Sequence, residues 1–147
     1  MIYLLDTHYM LWTIADSKKL SKNVKEVITN PDNSIIVSAI SFWEVSLKNS
    51  LGKLEITGFS PEDLPKAFLK MGFEIVALSA EDCSSYHKLK AVYHKDPFDR
   101  MLIWQAIQNN YSIISVDKNV KKYVSEGLKK NSGRKEETNH YFFRNIY

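Results

Sequence analysis

Four acidic residues of this chain stand where ordinary surface charge explains them poorly. Asp6 closes the apolar run Ile2-Tyr3-Leu4-Leu5, and Asp117 closes Ile113-Ile114-Ser115-Val116. Glu44 borders a stripe formed by Ile40, Trp43, Leu47 and Leu51 at helical steps, and Asp99 heads a face made by Leu102, Ile103, Ala106 and Ile107. A carboxylate beside a core is costly unless something compensates its charge. Two unit charges about 4 Å apart repel by roughly 4 kcal/mol at an effective dielectric near 20. If the four converge, either some of them bind protons or a cation sits among them. An all-oxygen donor set suits Mg²⁺ or Mn²⁺ rather than zinc. Such ions polarise a phosphodiester and lower the pKa of a bound water, so hydrolytic phosphate chemistry is the expectation.

Each acid also has a plainer account. Asp6 and Asp117 both precede a helix start, where an Asp side chain caps free backbone N–H groups. Asp96 precedes Pro97, and capping suffices to explain it. Asp99 lies in a first turn, where an acid favours the helix dipole. Glu44 is mid-helix, so capping does not apply; a buried basic partner would explain it, and the sequence alone does not name one.

The elements that must position these acids alternate. Strands are expected at Ile2 to Leu5, Ser34 to Ser38, Phe73 to Ala77 and Tyr111 to Val116. Helices are expected from Thr7 to Ala15, from Ser21 through Ile28, and from Ile40 to Leu51 with a stop at Gly52. Ser60-Pro61-Glu62-Asp63 opens another that ends at Gly72, and Ser79-Ala80-Glu81-Asp82 is a capping box for one reaching about Lys90. Asp96-Pro97 starts a helix to Asn109, and a basic helix follows Asp117 to about Leu128. Strands separated by helices imply a parallel sheet covered on both faces, with sites at the carboxyl ends of the strands. Asp6 and Asp117 occupy such ends.

The bulk numbers narrow the classes. A chain of 147 residues with 44% hydrophobic and 25% charged residues has the size and balance of one globular domain, which argues against disorder. One cysteine, Cys83, excludes an internal disulfide framework; the thiol is expected to be inert and half-buried, and the setting cytoplasmic. No signal peptide and no run of about 20 apolar residues is present, so no membrane association is expected. A net charge of +3 permits a polyanionic partner. His8, His87, His94 and His140 show no ligand spacing; His94, just before Asp96, is held as a substrate contact. Trp12, Trp43 and Trp104 are expected in packing rather than in base stacking. The domain is placed at residues 1–128. A basic, aromatic tail at 129–147 follows, in which Tyr141 to Tyr147 reads as a possible final edge strand.

Four segments now resemble a known family in order. Leu4-Leu5-Asp6-Thr7-His8, with Leu11-Trp12 after it, resembles the opening of PIN-domain nucleases of the VapC-like toxin–antitoxin group. Val37-Ser38-Ala39-Ile40-Ser41-Phe42-Trp43-Glu44-Val45, continued by Leu51-Gly52-Lys53-Leu54, is similar to that group's second acidic segment. Lys95-Asp96-Pro97-Phe98-Asp99-Arg100-Met101-Leu102-Ile103 resembles the third, and Ile114-Ser115-Val116-Asp117 the fourth. The likeness covers roughly residues 1 to 125. It departs from the family pattern at Ser125-Glu126-Gly127-Leu128, which runs into a basic stretch instead of a short closing strand.

The resemblance implies a three-layer α/β/α fold around a parallel sheet of four to five strands. It implies an endoribonuclease that uses Mg²⁺ or Mn²⁺, acts as the toxin of a type II pair, is restrained by a cognate antitoxin, and forms a homodimer. Carried over by position, Asp6, Glu44, Asp99 and Asp117 would be the catalytic, metal-binding acids, with Asp96 as an auxiliary or supporting ligand. Thr7 and Ser115 would orient waters or carboxylates. Arg100, beside Asp99 but pointing elsewhere, is read from its place on the helix as a surface or substrate contact. The alternative is a non-catalytic PIN-like module that binds RNA or regulates. A receiver-like phosphoacceptor is disfavoured, because Thr7 rather than an acid follows Asp6 and no Asp ends Ile35-Ile36-Val37.

Overall fold

The computed structural model describes residues 1–129. Four short strands, β1 (Ile2–Leu5), β2 (Ser34–Ser38), β3 (Glu74–Val76) and β4 (Ser112–Ile114), form one sheet in the order β3-β2-β1-β4. All three pairings are parallel, with Tyr3 opposite Ile35, Leu5 opposite Ile114 and Val37 opposite Ile75. Parallel neighbours need crossovers, and helices supply them: α1 (Thr7–Ala15), α2 (Lys22–Thr29), α3 (Ala39–Ser50), α4 (Leu64–Lys70), α5 (Ala80–Ser85) and α6 (Pro97–Asn109).

The alternation of side chains along the strands divides the interior in two. Tyr3, Leu5, Ile35, Val37 and Ile114 face one side, where Tyr9, Met10, Val24, Leu64 and Phe68 cover them. Leu4, Ile36 and Ile113 face the other, under Leu102, Ile103, Ala106, Val120 and Tyr123. A sheet with an apolar layer on each face is the expected three-layer α/β/α arrangement. The proposed edge strand at Tyr141 to Tyr147 lies outside the described residues.

Local sequence sets the helix ends. Ser21 Oγ accepts from Val24 N, and Asp82 N donates to Ser79 Oγ at 2.9 Å, the capping contacts expected there. Asn110 stops α6 in the left-handed region at φ 57°, a conformation that Asn tolerates. Two elements differ from expectation. α5 ends at Ser85 and tightens into a 3₁₀ turn, Tyr86–Lys88, after which Leu89 drops into the core. The segment after Asp117 is a 3₁₀ helix, Lys118–Glu126, rather than an α-helix. Its buried residues, Val120 and Tyr123, are three apart, and the three-residue repeat stacks them on one face. Cys83 is exposed, not half-buried.

The orientation of α3 overturns the apolar stripe expected for it. Ile40 is buried, but Trp43 and Leu51 are 60% and 58% exposed, and Leu47 is exposed as well. The inward face is Ile40, Ser41, Glu44 and Val45. Glu44 therefore sits within the buried face, as expected of it, although the residues that share that face are different.

Arg100 also has a role other than the substrate contact expected of it. Its guanidinium donates to Tyr86 Oη at 2.6 Å and to the carbonyls of Ala91 at 2.7 Å, Leu89 at 3.1 Å and His94 at 3.4 Å. It is a clamp that holds the loop from Leu89 to His94 onto α6. Only a planar fork reaches several carbonyls at once. Replacing Arg100 with Lys should lower stability by about 1.5–3 kcal/mol, since it strands carbonyls that a charged donor now satisfies. Chemical denaturation checks this; an unchanged midpoint would show the clamp to be dispensable.

Candidate active site

Asp6 and Asp117 are brought together by the pairing of β1 with β4. Asp6 N donates to Ile114 O at 2.9 Å, so Asp6 is fixed against the end of β4. Its carboxylate is buried and fully engaged: Oδ1 accepts from Tyr9 N at 2.8 Å, and Oδ2 accepts from Val116 N at 2.9 Å. Burial raises the Asp6 pKa, against the pull of the Tyr9 N–H, the Ser115 hydroxyl, His8 and the Val116 N–H. Ser115 thus supports one acid through its side chain. It touches a second as well, because its Oγ accepts from Asp117 N at 3.1 Å.

Asp117 caps the 3₁₀ helix through Oδ1, which accepts from Asn119 N at 2.7 Å. Its Oδ2 lies 2.8 Å from His94 Nε2, an ion-pair approach off the line of a regular hydrogen bond. His94 is buried rather than presented to substrate. Its backbone N donates to Tyr123 Oη at 3.0 Å, and its ring lies tilted against the Tyr123 ring. The structure therefore makes His94 an internal partner of Asp117.

Glu44 reaches the same region from α3. Its Oε1 pairs with Lys48 one turn on, and its Oε2 accepts from the Thr7 hydroxyl at the start of α1. Thr7 also shares a hydrogen bond with Ser41 Oγ at 3.1 Å. Lys48 is the basic partner that the sequence reading did not name. Its signal was present: a lysine four residues after a glutamate meets it on the same helix face. Burial lowers the Lys48 pKa, but the bond and charge of Glu44, then the charges of Asp96 and Asp99, outweigh this and raise it.

Asp96 caps α6, its Oδ1 accepting from Phe98 N at 2.8 Å and Asp99 N at 3.2 Å. Asp99, in the first turn, lines a small recess with Asp6, His94 and Ser115. Its carboxylate makes no hydrogen bond or ion pair among the described residues. Its pKa is pushed up to about 7, by burial first and then by the charges of Asp96, Asp6, Glu44 and Asp117. One group thus feels every acid singled out from the sequence.

The donor set is all oxygen, which suits a hard divalent cation, and Asp99 lacks the positive charge such an ion brings. The oxygens are not yet gathered around one point. Among the described residues, no group of three or more His, Cys, Asp or Glu side chains is disposed to hold a metal ion as they stand. The cause is visible in the pairings: Glu44 is held by Lys48 and Thr7, and Asp117 by His94 and Asn119.

The family model described as PIN domain matches residues 3–125. None of the curated proteins matches the sequence. Two solved structures are similar in fold. One is VapBC2 from Rickettsia felis, bound to a DNA fragment from its promoter, at 20% identity over 83% of this chain and 92% of that chain, with a TM-score of 0.59. The other is VapBC-1 from nontypeable Haemophilus influenzae, at 19% identity over 87% of this chain and 96% of that chain, with a TM-score of 0.61.

The raised Asp99 pKa contributes to the pH dependence of the metal-free fold, as does the raised Asp6 pKa. The folded protein holds the Asp99 proton up to about pH 7, whereas the ordinary carboxylate value is 3.8. Between those values the folded state binds more protons than the unfolded one, so stability falls as pH rises across this window. Asp99→Asn removes the charge and should stabilise the metal-free protein at pH 8 by about 1–2 kcal/mol, but by less than about 0.5 kcal/mol at pH 5. Thermal melts in a chelator measure both; a loss of stability at pH 8 would mean that Asp99 serves the fold instead.

Proposed function

The chain belongs to the PIN-domain family, and from that premise we propose that it is a divalent-metal-dependent endoribonuclease, the toxin of a type II toxin–antitoxin pair. The single observation that carries the catalytic reading is Asp99: a carboxyl that makes no hydrogen bond or ion pair among the described residues, its pKa pushed up to about 7 by burial first and then by the charges of four other acids. A structural cap has no need of such an environment, whereas a cation site does.

In this reading Asp6, Glu44, Asp99 and Asp117 hold Mg²⁺ or Mn²⁺, and Asp96 lends further negative charge from the rim. The bound ion would polarise the phosphodiester and lower the pKa of the attacking water. The chain's own groups do the positioning. Ser115 hydrogen-bonds the Asp6 carboxylate and the Asp117 backbone N–H, and Thr7 fixes the direction of Glu44. Lys118, Lys121 and Lys122 are exposed on the 3₁₀ helix that Asp117 caps, where they can meet backbone phosphates through salt-sensitive contacts.

The partners follow from the same reading. The similar solved structures are VapBC complexes, which supports a cognate antitoxin for this chain. A homodimer is proposed from the likeness to the VapC-like group. Among the described residues no helix is long and apolar enough to cross a membrane, and a cytoplasmic location accords with that.

Asp99→Asn should lower turnover of an RNA substrate in Mg²⁺ or Mn²⁺ by at least about a hundredfold while the protein stays folded. Fluorescence assays on unstructured and structured RNA, with the antitoxin absent, read this directly. Cleavage at the wild-type rate would sink the mechanism. RNA retained by wild type without cleavage under any divalent ion would favour a binding module instead.

A further inference from the structure

Lys48 is placed where a metal ion would have to act. Its Nζ pairs with Glu44 Oε1, a carboxylate that is 3% exposed, while the Thr7 hydroxyl takes Oε2. Both Glu44 oxygens are therefore committed within the protein. The charges of Asp96 and Asp99 also act on Lys48, so its ammonium serves the acid cluster and not Glu44 alone. The ammonium keeps solvent access, its side chain being 38% exposed, and it sits on a flexible four-carbon stem. It can leave Glu44 without unfolding α3, whereas Glu44 itself cannot move to water.

We infer that Lys48 is a built-in counter-ion: it occupies Glu44 in the metal-free protein and is displaced when a divalent cation binds that carboxylate. The inference rests on the reading of Glu44 as a metal ligand and adds a competitor for it. One positive charge is exchanged for two, which explains how the acids pack before the ion arrives and why they are not preassembled around a point. The released ammonium stays tethered four residues from Glu44 and is free to face the solvent side of the cleft.

The test is Mn²⁺ binding without RNA, followed by the loss of free-ion paramagnetic resonance signal and by calorimetry. Lys48→Met should bind Mn²⁺ on the order of tenfold more tightly than wild type, because the ion no longer competes with an ammonium for Glu44. Lys48→Arg, which keeps the charge, should bind no more tightly than wild type. Glu44→Gln should bind more weakly, and adding Lys48→Met to it should bring little further change, since the competition is for Glu44. Wild-type protein supplies a check that needs no variant: acetic anhydride labelling of Lys48, read by mass spectrometry, should rise severalfold in saturating Mg²⁺.

Two failures are distinct. If Glu44→Gln weakens Mn²⁺ binding but Lys48→Met does not tighten it, and labelling is unchanged by Mg²⁺, the Lys48 inference is overturned while the metal reading stands. If wild type binds no Mn²⁺, or Glu44→Gln binds it as wild type does, the assignment of Glu44 falls and the Lys48 inference falls with it.

Discussion

Mutual repulsion among carboxylates is the constraint around which this molecule is arranged. Asp6, Glu44, Asp96, Asp99 and Asp117 come from four separated stretches of chain, and the charges of the other four act on Asp99. The parallel topology makes this unavoidable. Adjacent strands β1 and β4 run the same way, so the residues that follow them emerge side by side. Any acid placed after each strand must face the other across a single strand spacing, with α3 and α6 closing over them.

The fold meets the cost one carboxylate at a time, with a different device for each. Backbone N–H groups at helix starts serve Asp6, Asp96 and Asp117. A hydroxyl and an ammonium serve Glu44, and a buried histidine approaches Asp117. Hydrogen bonds to the charged form can hold a buried carboxylate ionised, whereas burial alone cannot. Asp99 is the residue for which, among the described residues, the devices run out: its pKa is pushed up to about 7, and burial raises that of Asp6 as well. The account of Asp6, Asp96 and Asp117 as caps is therefore compatible with their belonging to a charged cluster around Asp99.

Much of this was legible in the order of residues. The apolar runs ending in Asp6 and Asp117 marked strands and their carboxyl ends, and Ser79-Ala80-Glu81-Asp82 marked a helix start, because these signals are local. The failures are tertiary. Periodicity located the apolar stripe of α3 but not which way the helix faces, so Trp43, Leu47 and Leu51 were read as inward when Ser41, Glu44 and Val45 are. For His94 and Arg100, held as substrate contacts, it is the partners within the fold that spacing did not show. Their partners, Tyr123 and Asp117 for one and the carbonyls of residues 89–94 for the other, are set by loop geometry that no spacing encodes. Lys48 is the exception, since its four-residue step from Glu44 was open to view.

The reversed face of α3 has a physical consequence. Because Glu44 points in, its neighbour Trp43 points out, and there it packs edge-on against Phe98 with ring centroids 5.2 Å apart. Phe98 is in turn the neighbour of Asp99. The two helices that carry mutually repelling acids are thus joined by an aromatic contact one residue away from each acid. Such a pair contributes about 0.5–1.5 kcal/mol beyond the area it buries. It carries no net charge, so it neither screens the carboxylates nor changes when a cation arrives. An ion pair at the same place would weaken with salt and would shift as the site loads. An edge-to-face ring contact therefore joins α3 to α6 beside the acids without adding charge to them.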